Sequence, residues 1–120
     1  MDRKELQQIT KTFHVDVIKL CSDFPRNAAG FETAKQLIRS AGSVGANYRS
    51  SARAKSNLDF IYKIEIVLEE ADESHYWLEV IKEAEIKLGF EVDRLIDEAN
   101  QLTAIFAATD KTAKANKNSK

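Results

Sequence analysis

The feature that most constrains the fold is a scarcity of breakers. Only one proline and four glycines occur in 120 residues, and large apolar residues recur at intervals of three and four instead of alternating. A period of 3.6 puts such positions on one face of a helix, whereas alternation would put them on one face of a strand. The chain therefore reads as helical throughout, and its few breakers set the number of helices. In the first segment Leu6, Ile9, Phe13, Val17 and Leu20 form one stripe, with Ile18 and Cys21 on its flank. Asp23, Phe24 and Pro25 end it, because a proline disfavours helical geometry in the residue before it. The second segment runs from about Phe31 to Ala54, with Phe31, Ala34, Ile38, Ala41, Gly45, Tyr48 and Ala52 on one side. Ser56 suits the N-cap of a third, which carries Leu58, Ile61, Ile64, Leu68, Ala71, His75, Leu78 and Ile81 down to Leu88. Gly89 then suits the left-handed position after a helix end. The fourth segment groups Val92, Leu95, Ala99, Leu102 and Phe106.

These stripes predict an all-α fold, an antiparallel up-down four-helix bundle over residues 1–109, with helices at about 2–23, 31–54, 57–88 and 90–109. Short connections between long helices favour antiparallel neighbours. The third helix, at roughly 48 Å, is expected to outreach the others. Residues 110–120, DKTAKANKNSK, contain four lysines and no large apolar residue, which predicts a disordered lysine-rich tail. If the second and third helices fold back about residue 55, Arg39 lies near Glu69 and Glu73, and Asn47 near Tyr62 and Lys63.

Charged residues make up 31% of the chain, yet the formal net charge is only -1, so whole-chain electrostatics does not predict a polyanion binder. The single cysteine, Cys21, cannot form an internal disulfide, and the opening MDRKELQQ is polar where a secretory signal would be apolar. A reducing, cytoplasmic setting is expected. No apolar run approaches the roughly 20 residues of a membrane helix, so no membrane partner is expected.

The stretches QLIRSAGSVGANYRSS and SNLDFIYKIEIVLEEADESHYWLEV, within Gln36 to Leu78, resemble the 23S rRNA intervening-sequence protein family. The features that carry the resemblance are Gln36, Arg39, Ala41, Ser43, Gly45 and Asn47, followed by Ser56, Phe60, Lys63, Glu69, Glu73, Tyr76, Trp77 and Leu78. Where the commonest pattern follows the asparagine with an Ile-Ala-Glu-Gly-like run, Tyr48, Arg49, Ser50 and Ser51 stand here, as in a divergent branch. The resemblance implies four-helix bundles assembled into ring-like homo-oligomers, commonly pentamers, with no established enzymatic activity. It also implies a distant kinship with the accessory protein of diversity-generating retroelements, which binds nucleic acid and a reverse transcriptase.

Gly42 to Gly45, GSVG, lacks the strand and the Lys-Ser/Thr pair of a phosphate loop and the sheet of a KH domain, so close helix approach is its expected use. Asp72 and His75 give half of a di-iron spacing, but the second copy is missing around His14, where Lys11 and Val17 hold the matching offsets. No metal and no cofactor are predicted. Cys21 reads as an inert core thiol. The third helix carries nine acidic and three basic residues between Asn57 and Leu88, and the second carries five basic and one acidic between Phe31 and Lys55. Arg39, Asn47, Glu69 and Glu73 are therefore expected to form a structural ion pair or polar core. Arg49, Arg53 and Lys55, at the turn that follows, are the candidate nucleic-acid contact, although three cations neutralise few phosphates.

Three functions follow, in order of preference. The first is a non-catalytic, self-associating scaffold or adaptor, a pentamer by the family resemblance and otherwise a dimer. Its oligomer argument is that Phe60, Val67, Trp77 and Ile81 widen the apolar arc of the third helix beyond what one bundle covers. The second is an accessory protein binding RNA or DNA, with or without a protein encoded nearby. The third is a metal-dependent bundle enzyme.

Overall fold

The computed structural model describes residues 1–118. Over them the chain forms α1 (Arg3–Cys21), α2 (Ala28–Ser51), α3 (Asn57–Glu83) and α4 (Phe90–Asn118), with no strand. Three helices begin on a side-chain cap: Asp2 accepts from the Glu5 N–H at 2.8 Å, Asn27 from Gly30 at 2.9 Å and Ser56 from Asp59 at 3.0 Å. Each satisfies one of the amides that a helix start leaves without an internal partner.

Two helix ends differ from expectation. α3 stops at Glu83, well before Gly89, in a Schellman turn. Glu85 takes a left-handed φ of 56°, its N–H donates to the Lys82 carbonyl at 3.0 Å, and the Ile86 N–H donates to Ile81 at 2.9 Å. Ile86 packs on the core and locks the turn. Gly89, at φ 119°, lies instead just ahead of α4. The expected tail from 110 is helical as far as Asn118, so α4, with 29 residues, and not α3, with 27, is the longest element; residues 119–120 lie outside the described part. Lysine and alanine are good helix formers, and Lys114 pairs with Glu65 of α3 at 2.9 Å and Asp110 at 3.0 Å.

α2 packs extensively on both α1 and α3, and α3 packs on α4, while α1 and α4 meet over the shortest stretch. The core runs along the 52 Å long axis, with Phe13, Leu37, Ile64, Leu78, Leu95 and Phe106 among its fully buried side chains. On α2 the buried face is Gly30, Thr33, Leu37, Ser40, Ala41, Val44, Tyr48 and Ser51. Phe31, expected inside, is 60% exposed, because the stripe is rotated and three of its positions are hydroxyl residues. Those hydroxyls are paired: Thr33 donates to Ala29 at 2.8 Å, and the Ser40 and Ser74 hydroxyls meet across α2 and α3 at 2.9 Å. On α3, Val67 and Ile81 are fully buried, and Phe60 and Trp77 pack against the core. The arc expected to need covering by a second molecule is thus mostly covered within the chain. Among the described residues, no helix is long and apolar enough to cross a membrane.

Candidate functional site

Arg39 on α2 reaches Glu70 at 2.9 Å and also bonds Glu73, both on α3. Glu73 further accepts from the Trp77 indole N–H at 3.3 Å. Of the two expected partners, Glu73 is thus met, while Glu69 points outward and Glu70 takes its place. Ser40 faces Ser74, four residues beyond the place that folding about residue 55 implies, and α3 is turned so that Glu70 takes the inner position. The carboxylates hold the Arg39 guanidinium pKa above its ordinary value, hydrogen bonding to Glu70 contributing most. Since the Arg39 side chain is 52% exposed, the cluster is a solvated strap between helices and not a buried clamp. Asn47 is half-buried, but its amide donates to the Ser43 carbonyl and hydroxyl of its own helix, at 2.9 and 2.8 Å, and not to Tyr62 or Lys63.

Arg49, Arg53 and Lys55 are all exposed. Arg53 and Lys55 sit in the turn after α2, where the Lys55 N–H donates to Asp59. Arg49 instead lines a groove of about 490 Å³ between α1 and α2 with Lys4 and Lys11 of α1. Gly42, Gly45 and Ala46 line its α2 side, and no carboxylate lines it. Among the described residues, none of Lys4, Lys11 and Arg49 has an ion-pair partner. The two glycines have separate uses. A Cβ on Gly42 would lie 2.9 Å from the His14 ring, so Gly42 seats that imidazole; one on Gly45 would face the Thr10 carbonyl oxygen of α1 at 3.4 Å.

The outer face of α3 has the opposite character. Tyr62, Glu65, Glu69, Asp72, Tyr76, Glu79 and Glu83 follow one another at alternating spacings of three and four, which aligns them on one side of the helix. Glu65 is taken by Lys114, and Glu79 faces His75 Nδ1 at 3.4 Å. Glu69, Asp72 and Glu83 have no cationic partner among the described residues. Asp72 is not the partner of His75, and among the described residues no three His, Cys, Asp or Glu side chains are grouped to hold a metal ion. Cys21 is half-buried at the end of α1, and burial, reinforced by the charge of Asp23, pushes its thiol up to about 12, so it stays protonated at neutral pH.

Sequence reasoning missed the groove lysines, and it counted the acidic residues of the third helix without aligning them on one face, because it read positions on the helix only from the apolar period. The signal was present in Lys4 and Lys11, two turns apart, and in the polar residues of α3, which keep a helical period of their own. It also missed Arg94 on α4, which bonds Asp16 of α1 at 3.0 Å as well as Glu91 and Glu98 of its own helix. That connection depends on which helices become neighbours.

No functionally curated protein matches the chain. A crystal structure of a protein of unknown function from the S23 ribosomal protein family of Bacteroides thetaiotaomicron superposes with a TM-score of 0.83 at 28% identity, covering 92% of this chain and 99% of the other. The sequence pattern of one family fits nearly the whole bundle, residues 3–108. With Arg39, Asn47 and Glu73 in place along α2 and α3, the chain belongs to the 23S rRNA-intervening sequence protein family.

Proposed function

We propose that this protein is a non-catalytic scaffold or adaptor that works in the cytoplasm as a closed homo-oligomer, with five subunits as the family likeness implies. The observation that carries the reading is the set of uncovered apolar side chains at one end of the bundle. Ile18 is 46% exposed, Phe31 60%, Leu88 54% and Phe90 76%, and all four belong to the end where α1 runs into α2 and α3 into α4. Large apolar groups gathered at one end favour association over solvation. The non-catalytic part is supported by how the interior polar groups are used. Thr10, Thr33, Ser40, Ser51 and Ser74 are the buried polar residues, and each hydroxyl is bonded to a carbonyl of its own helix, with none left facing a cavity. Light scattering coupled to size exclusion, over a range of concentrations, tests the reading. A mass several times 13.5 kDa is expected; a mass that stays at 13.5 kDa throughout refutes it.

A further inference from the structure

We infer that the α1/α2 groove is the docking site for the outer face of α3 from a second copy of this chain, a contact that rests on the self-association proposed above and adds to the apolar end a pair of charged surfaces along the sides of the bundle. The groove offers Lys4, Lys11 and Arg49, all exposed and without ion-pair partners among the described residues, and no carboxylate lines it. The outer face of α3 offers Glu69, Asp72 and Glu83, exposed and equally without cationic partners. Three unpaired cations on one surface thus meet three unpaired anions on another.

On the α2 side Ala46 is exposed and carries only a methyl group into the groove, while the space beside Gly42 and Gly45 is filled from α1 by the His14 ring and the Thr10 backbone. Tyr62 and Tyr76, 62% and 56% exposed on the same α3 face, supply the large amphipathic side chains enriched in protein interfaces. The two surfaces lie on different sides of one molecule, so the contact is heterologous, and such a contact yields a ring when its rotation closes.

Charge reversal tests this. The groove variant K4E/K11E/R49E and the face variant E69K/D72K/E83K alter only exposed side chains, and circular dichroism should show both folded. Each alone is expected to run at 13.5 kDa where the wild type is an oligomer. The equimolar mixture of the two, and the chain carrying all six reversals, should both associate again, because each restores opposite charges across the contact. Dissociation of the wild-type oligomer should increase about tenfold or more between about 0.1 M and about 1 M salt. A wild type that is itself monomeric removes the self-association reading and this contact with it. A wild-type oligomer whose mass neither folded triple variant changes overturns the contact alone, as does failure of both the mixture and the six-fold variant to reassociate. The contact is likewise overturned if the groove variant keeps the wild-type mass but loses retention of a labelled single-stranded RNA, since the cations would then serve nucleic acid.

Discussion

Replacing Gly30 with alanine should damage this fold more than any other single methyl group added to a glycine. Gly30 is buried in the first turn of α2, where the Asn27 side chain accepts its N–H and the chain around Pro25 folds back over it. A Cβ built there overlaps the Pro25 carbonyl oxygen outright and lies 3.0 Å from its carbon and 3.3 Å from its nitrogen. The obstacle is backbone, so no rotamer change can relieve it. Overpacking against atoms that must move as a unit costs about 1–3 kcal/mol. Shifting the turn also endangers the Asn27 cap, worth about 0.5–2 kcal/mol. The expected total is about 3–4 kcal/mol, a large share of the roughly 5–15 kcal/mol that stabilises a domain. For a chain of this size that corresponds to a fall in Tm of about 10–20 °C. Thermal and urea unfolding followed by circular dichroism, at one protein concentration, measure it. Gly45→Ala is the contrast: its nearest atom would be 3.4 Å away, and alanine favours a helix interior over glycine by about 1 kcal/mol, so its stability should match or slightly exceed the wild type. A Gly30→Ala protein within about 0.5 kcal/mol of wild type would refute the reasoning, because that is less than an N-cap alone is worth.

Glu85→Gly should stabilise by about 0.5–1 kcal/mol, since glycine takes the left-handed conformation at 56° without the clash a side chain makes; an unchanged urea midpoint would count against the Schellman assignment. Arg39→Ala should cost less than about 1 kcal/mol because its pairs are solvated. Asn47→Leu should also cost less than about 1 kcal/mol, the lost bonds being to its own helix; a loss of 3 kcal/mol or more in either would mean a buried network instead. Burial raises the Glu98 carboxyl pKa above its ordinary value, against the opposing pull of Arg94. Its folded pKa thus exceeds its unfolded one, so its charged form costs stability above that range, and the cost fades as pH falls through the folded pKa. Glu98→Gln should therefore be as stable as the wild type or more so near pH 7, with the difference closing below about pH 4.5; urea midpoints that diverge further on acidification would contradict it.

The helix count and most of the core were legible because apolar residues at three and four leave few alternatives. The rotation of α2 was not, because Thr33, Ser40 and Ser51 occupy core positions with side chains that read as polar until their hydroxyls are seen bonded within the helix. The Glu69 and Glu70 exchange has a similar origin. The sequence shows an acidic helix facing a basic one, but the register across a turn depends on the turn's own geometry, which puts Ser40 opposite Ser74. The last turns of α4 were missed because a tail without large apolar residues lacks a stripe; its hold on α3 comes through Lys114. The groove was the least accessible feature, since its cations come from two helices and only their relative rotation brings Arg49 beside Lys4 and Lys11.

The slender contact between α1 and α4 bears on how the chain opens. α1 is held laterally by α2, by the Asp16–Arg94 bond and by Arg3, whose guanidinium lies 5.1 Å from the Tyr48 ring centroid. α3 is embraced on both sides. Local opening takes the least free energy where the fewest contacts are broken, so α1 is the helix that detaches while the other three remain together, and its amides exchange with solvent ahead of those of α3. Detachment uncovers Phe13 and Val17, two fully buried side chains, and presents a protease with an extended segment. A neighbour seated in the α1/α2 groove would close that route, so an unassembled subunit would be degraded from its first helix while an assembled one persisted.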